Sequence, residues 1–312
     1  TGSSRQAILH SVPIQAVTLG DGFWRPRVAT SCQVGLPAFL SWLERDDQTA
    51  PFPAYSQANS PTKATAIRAG LETLRQNYAG QNKERLPHHW RANLMAWMEA
   101  CAFSLHSVPD PAVGDRLEHF VTGVVAAHKD AEFLDVYYGE EFQYAYQLAN
   151  PAHLIQAAIA HAHATASTQF LDCARGVAER VGARFLGEKY AEHPAIEMAL
   201  VDLYRTTDDE AYLNAARHFL DPLLNQPAVI GPNTSDTPYR ERHVVRQTYL
   251  CAGGADYLME TGDPRFREQL EAIWQDMSSS KLQITGQLAV SPKNPEMITE
   301  ESFALSAGVF GS

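Results

Sequence analysis

Cysteine is scarce in this chain, and no two of its four cysteines stand close together in sequence. Cys32, Cys101, Cys173 and Cys251 are far apart, and the last three fall inside apolar helical stretches. No CxxC pair and no Cys/His spacing of a zinc site occurs, so the residues predict no bound metal and no cofactor. Buried, reduced thiols in a cytoplasmic compartment are the expectation. The sequon Asn233-Thr234-Ser235 leaves secretion open. No apolar run is as long as a membrane span, and TGSS at the start lacks the charged-then-apolar pattern of a signal peptide. Positive charge is also short: 25 Lys and Arg face 36 Asp and Glu, for a net charge of −11. That balance argues against a nucleic-acid partner, which needs clustered cations. The densest basic group, RERHVVR at 240–246, reads as a solvated helix start. GxGxxG, GxxxxGK[ST] and HExxH are all missing, which weakens nucleotide-binding and zinc-protease readings.

What is present is a repeat. HLIQAAIAHAHATASTQFLDCAR (153–175) superposes on AIEMALVDLYRTTDDEAYLNAAR (195–217) at an offset of 42. Thr165 falls on Thr207, Phe170-Leu171 on Tyr212-Leu213, and Ala174-Arg175 on Ala216-Arg217. Looser echoes flank the pair, one turning at SVPDP between Met95 and Phe120, the other at ETGDPRF between Tyr249 and Trp274. Each unit is an apolar helix, a short polar turn opened by Thr or Ser, and an amphipathic helix opened by an aromatic. Such a unit cannot bury its apolar face alone, so several must pack side by side.

Residues 1–30 carry Pro and Gly punctuation with strand-like alternation and read as an extended lead-in. Helical periodicity follows at 32–45, 62–78, 90–107, 111–128, 144–165, 168–186, 193–206, 209–224, 241–261 and 264–279. Ten helices in antiparallel pairs predict an all-α toroid of helical hairpins over 31–312, short of a complete ring. The Pro/Asn/Ser-rich stretches 47–61 and 225–239 are expected to rim its mouth.

Few residues stand out as chemistry. Ser278-x-x-Lys281 matches an acyl-transfer pattern but lies in a polar helix end, where chance matches are common. His161 and His163 are two apart and cannot share a helix face. His88-His89-Trp90 precedes a helix, where it contacts a sugar or caps a turn. His193 and His243 each open an apolar helix just after a polar loop, a position that faces the mouth of a toroid.

Together these segments resemble glycoside hydrolase family 127, the β-L-arabinofuranosidase family of (α/α)6 barrels. LGDGFWRPR (19–27), AWMEACAFSL (96–105), AHLIQAAIAHAHAT (152–165), HPAIEMALVDLYRTTDDEAYLNAARHFLD (193–221), HVVRQTYLCAGGADYLMETGDP (243–264) and KLQITG (281–286) carry the resemblance in collinear order. It implies a sugar substrate, free or in an oligosaccharide, and a general acid/base at Glu301, within Glu301-Ser302-Phe303. It also implies His193 and His243 as catalytic neighbours of that acid. A glutamate beside imidazoles in a partly desolvated cavity holds a raised pKa suited to protonating a leaving group. Trp90, Asn93, Tyr146, Gln147 and His153 are the accompanying candidate substrate contacts.

The chain departs from the pattern at three places. The family's zinc-held cysteine thiolate draws its ligands from beyond the glutamate, whereas all four cysteines here precede Glu301. Its Asp-Ser-Asp reads Arg91-Ala92-Asn93, and its His-Glu-Leu-Tyr-Cys reads Tyr146-Gln147-Leu148-Ala149-Asn150. Three readings therefore stay open: a glycosidase whose remainder lies elsewhere, a diverged zinc-free enzyme on a non-sugar molecule, and a non-catalytic carbohydrate-binding barrel. The short helix count adds an expectation that the ring is closed by a second chain or by a symmetric dimer through ALSAGVF (304–310).

Overall fold

The computed structural model describes residues 16–39, 88–129, 148–185, 195–225, 244–276 and 278–279. For 88–93, 222–225, 244–247 and 276 the helix alone is described. The described residues are all-α with no strand. Nine α-helices follow in order: α1 (Trp24–Thr30), α2 (His88–Ser107), α3 (Pro111–Ala127), α4 (Ala149–Thr165), α5 (Gln169–Phe185), α6 (Ile196–Thr207), α7 (Glu210–Asn225), α8 (Val244–Thr261) and α9 (Pro264–Asp276). They belong to two compact units whose boundary falls inside α5, between Val177 and Ala178.

The hairpins expected from the repeat are present, and one hydrogen-bonding device closes three of them. Thr165, Thr207 and Thr261 each end a helix and donate from Oγ1 to the carbonyl four residues back, at 2.8, 2.7 and 2.8 Å. The next residue is left-handed each time: Ala166 at φ 59°, Asp208 at 58° and Gly262 at 67°. Each of these donates its N–H back to the helix, at 2.9, 2.7 and 2.8 Å. The threonine hydroxyl then accepts from the second N–H of the turn, that of Ser167, Asp209 or Asp263. One short side chain thus serves orphaned groups on both sides of the break. Asp209 and Asp263 go on to cap the next helix by accepting from Ala211 and Arg265. The SVPDP turn solves the problem differently. Asp110 accepts from Ala112 and Val113 while Pro111, which has no N–H to satisfy, starts α3.

The aromatics that open the second helices are the anchors of these turns. Phe170, Tyr212 and Phe266 are all buried. Phe170 meets the His161 ring edge-on at 5.9 Å, and Phe266 meets Tyr257 at 5.0 Å. Beyond the turns, the helices divide by composition. α3 and α7 are amphipathic, as Val113, Leu117, Val121 and Val124 show by burying one stripe. α4 is enclosed nearly all round, with Leu154, Ile155, Ala157, Ala158, Ile159 and Ala160 buried. In the first unit α4 packs on α2, and α2 also meets α3. In the second, α6 contacts both its hairpin partner α7 and α8, the first helix of the next hairpin. Gly253 permits that approach, since a Cβ there would lie 2.9 Å from Glu197 Cβ and 3.0 Å from the Met198 backbone nitrogen.

One expectation fails locally. Residues 24–30, read as extended, are the helix α1, which continues through a π-helical turn at Ser31–Gly35 and on to residue 39. Asp21 pairs with Arg25 at 2.7 Å, and Arg27 reaches back to the Phe23 carbonyl at 2.9 Å while lying over its ring. Pro26 sits in the first turn, where its missing N–H costs nothing. The Trp97 indole ties this segment to α2 by donating to the Leu36 carbonyl at 3.1 Å. The helix expected at 62–78 and the strand-like segment at 281–288 lie outside the described residues.

The turn makes a signed prediction. Ala166→Gly should raise stability by about 0.5–1 kcal/mol and Gly262→Ala should lower it by about 1 kcal/mol, because only glycine takes the left-handed region freely. Thr207→Val should cost about 1 kcal/mol by stranding the Asp209 N–H. Urea-unfolding midpoints read all three, and equal effects at Ala166 and Gly262 would contradict the assignment.

Candidate functional site

Of the residues singled out from sequence, Glu301, His193, His243, Tyr146 and Gln147 lie outside the described residues, as do Lys281 and ALSAGVF. Trp90 and Asn93 stand in the first two turns of α2, and His153 in the second turn of α4. The described structure therefore brings together the two helices that carry Trp90, Asn93 and His153, since α2 and α4 pack against one another. His153 is half-shielded as a residue, but its Nδ1 is out of solvent, and burial pulls its imidazole down to about 4. It is neutral at pH 7, able to donate from one nitrogen and accept at the other.

One turn before His153, Asn150 is 6% exposed, and its Oδ1 is buried with no hydrogen-bond donor. Sequence reasoning noted Asn150 only as a departure from the family pattern. The signal available was its spacing, because positions 150 and 153 share a helix face. His161, fully buried, bonds through Nε2 to Glu118 Oε1 at 2.6 Å and so ties α4 to α3. His163 is exposed, so the two histidines indeed look in different directions. Ser278, from the acyl-transfer pattern, spends its hydroxyl on the Gln275 carbonyl.

The second unit holds a charged cluster that sequence reasoning missed. Arg205 on α6 donates to Asp256 at 2.7 Å and Glu260 at 2.7 Å, both on α8, and to Asp202 on its own helix at 3.0 Å. Three carboxylates around one guanidinium leave the group net negative. Burial, with Asp256 beside it, pushes the Asp202 carboxyl up to about 6 despite Arg205. Burial also raises Asp256. The available signal was Arg205 itself, a cation inside an apolar helix at the place His163 holds in the other repeat copy. Glu197, 3% exposed in the first turn of α6, is a further buried acid.

Among the described residues no three His, Cys, Asp or Glu side chains gather as metal ligands would. Burial pushes the Cys101 and Cys173 thiols up to about 12 and raises Cys32, so these three keep their protons. No helix among the described residues is long and apolar enough to cross a membrane.

Comparison with known proteins adds the following. The profile of the β-L-arabinofuranosidase, GH127 catalytic domain, matches residues 16–306. A non-reducing end β-L-arabinofuranosidase of Bifidobacterium longum subsp. longum is 24% identical, over 86% of this chain and 47% of that protein. This chain therefore spans about half the length of the curated relative it matches. Two solved structures share the fold. One, a GH127 β-L-arabinofuranosidase from Geobacillus stearothermophilus T6, has a TM-score of 0.68 and 22% identity, over 87% of this chain and 46% of its own. The other, a GH127 β-arabinofuranosidase, gives a TM-score of 0.69 and 22% identity, over 92% and 46%. The all-helical fold is that of these α/α-barrel-like proteins.

The Arg205 cluster generates a pH test. The Asp202 carboxyl is raised from an unfolded value of 3.8 to about 6. Its contribution to stability is thus fully present below about pH 4 and lost as pH rises through 6. Asp202→Asn, which imitates the protonated acid, should raise stability above pH 7 by about 1 kcal/mol after allowing for solvent screening, and by nothing near pH 4. Arg205→Met should cost about 3–5 kcal/mol by leaving the carboxylates unpaired. Thermal unfolding across pH checks both, and a pH-independent Asp202→Asn effect would contradict the charge argument.

Proposed function

The chain belongs to the β-L-arabinofuranosidase family of glycoside hydrolases, GH127, and from that premise we propose that it acts on a terminal arabinofuranoside or a related sugar. The observation that carries the proposal is the family match running from residue 16 to 306; the sequence resemblance at Glu301-Ser302-Phe303 supports Glu301 as the acid/base of this reading. In this reading Glu301 protonates the departing glycosidic oxygen, and His193 and His243 orient the sugar beside it. Hydrolysis also needs a group on the opposite face of the ring.

The rewritten positions Asn93 and Asn150 favour a second reading, in which the cavity binds a carbohydrate, or another small molecule, without family-type turnover. A symmetric dimer or a second chain completing the site belongs to the same set of proposals.

A Glu301→Gln variant separates the two. Under the first reading, kcat/KM on an aryl β-L-arabinofuranoside falls by about 10²–10⁴, the usual weight of a general acid. Unchanged turnover removes Glu301 from the mechanism. Saturable binding with no turnover by the parent chain favours the second reading.

A further inference from the structure

We propose that Cys32 and Cys101 form a redox pair, which a peroxide joins in a disulfide that fastens the α1 segment to α2. Across residues 16–39 Cys32 is the only buried residue, and α1 itself buries none. It sits in the π-helical turn, where the Leu36 N–H bonds to the Ser31 carbonyl five residues back. Such turns recur at functional sites. On α2, Cys101 is fully buried, and Ser104, one turn on, donates its hydroxyl to the Cys101 carbonyl at 2.8 Å. The same Ser104 side chain hydrogen-bonds Cys32, and Cys101 feels the charge that Cys32 carries when ionised. The segment thus rests on α2 through one thiol, and a second thiol stands beside it. A small apolar residue would fill the same place, so packing alone does not call for the pair.

While the segment is closed both thiols are protonated and shielded, and a protonated thiol is a poor nucleophile. Reaction therefore starts from a locally open form. A stretch that buries one residue, with Phe23, Trp24 and Val34 60–66% exposed, opens well below the free energy of global unfolding. Opening breaks the bond from Trp97 to the Leu36 carbonyl and frees Cys32, while Cys101 stays within α2. The Cys32 thiolate attacks one peroxide oxygen, the O–O bond breaks, and hydroxide leaves as water with the thiol's proton. Closure returns the resulting sulfenic acid to Cys101. That thiol forms the S–S bond, the S–O bond breaks, and a second water departs. The pair loses two electrons and the peroxide gains them. A bridge from residue 32 to residue 101 closes a long loop, which restricts the unfolded chain and raises stability.

The test uses the whole chain, reduced, exposed to hydrogen peroxide in native buffer, denatured in N-ethylmaleimide and mapped by peptide mass. Two of the four thiols should take up no maleimide, and the peptides of Cys32 and Cys101 should appear joined, two hydrogens lighter than their sum. Dithiothreitol should restore all four. The oxidised chain should unfold at higher urea than the reduced one. Cys101→Ala should leave Cys32 as a sulfenic acid that dimedone traps, whereas Cys32→Ala should leave Cys101 reduced. Four alkylatable thiols after peroxide would overturn the proposal. So would separate oxidation of the two, a bridge to Cys173 or Cys251, or a 32–101 bridge that forms only in urea. The peptide map of the parent chain decides the matter even if a variant fails to fold.

Discussion

A helical hairpin has an apolar face that it cannot bury by itself, and everything described here follows from how the chain closes its hairpins and presses them together. The closure is local. A threonine hydroxyl donates to the turn it ends and accepts from the turn it opens, with a left-handed residue between. The pressing together is tertiary. Phe170, Tyr212 and Phe266 bury themselves at the mouth of each turn, and α6 then meets α8 across a glycine. Fully burying one such ring is worth roughly 1.5–3 kcal/mol, against about 1 kcal/mol for a turn hydrogen bond. Packing therefore holds the hairpins, and the threonines set where they bend.

That division explains what could be read from sequence. Helix periodicity and turn chemistry are local, so the hairpins from α2 to α9 are legible, including the looser copy at Thr261 that uses the same bonds as the two strong ones. The start of α1 is not legible, because Gly, Pro and aromatic residues in DGFWRPR resemble an extended lead-in. In the helix, Asp21, Phe23, Arg25 and Arg27 make side-chain contacts that no propensity conveys.

The site divides in the same way. His153 could be picked out because it lies in AHLIQAAIAHAHAT, one of the segments that carry the resemblance. Asn150 could not, because its burial and its unpaired oxygen exist only after packing. The same holds for Arg205, whose three acidic partners come from two helices some fifty residues apart. Residues that work through a tertiary neighbour leave only a faint trace in sequence: a polar or charged group where the period calls for an apolar one.

The family fixes the fold, while the residues that differ from it bear on what this chain does with it. Burial keeps the His153 imidazole neutral and the Cys32, Cys101 and Cys173 thiols protonated. The most direct measurement is a proton NMR time course of methyl β-L-arabinofuranoside with the purified chain. The account predicts the growth of free arabinose signals, or, if turnover is absent, saturable broadening of the glycoside resonances. A glycoside spectrum unchanged at every protein concentration would contradict it.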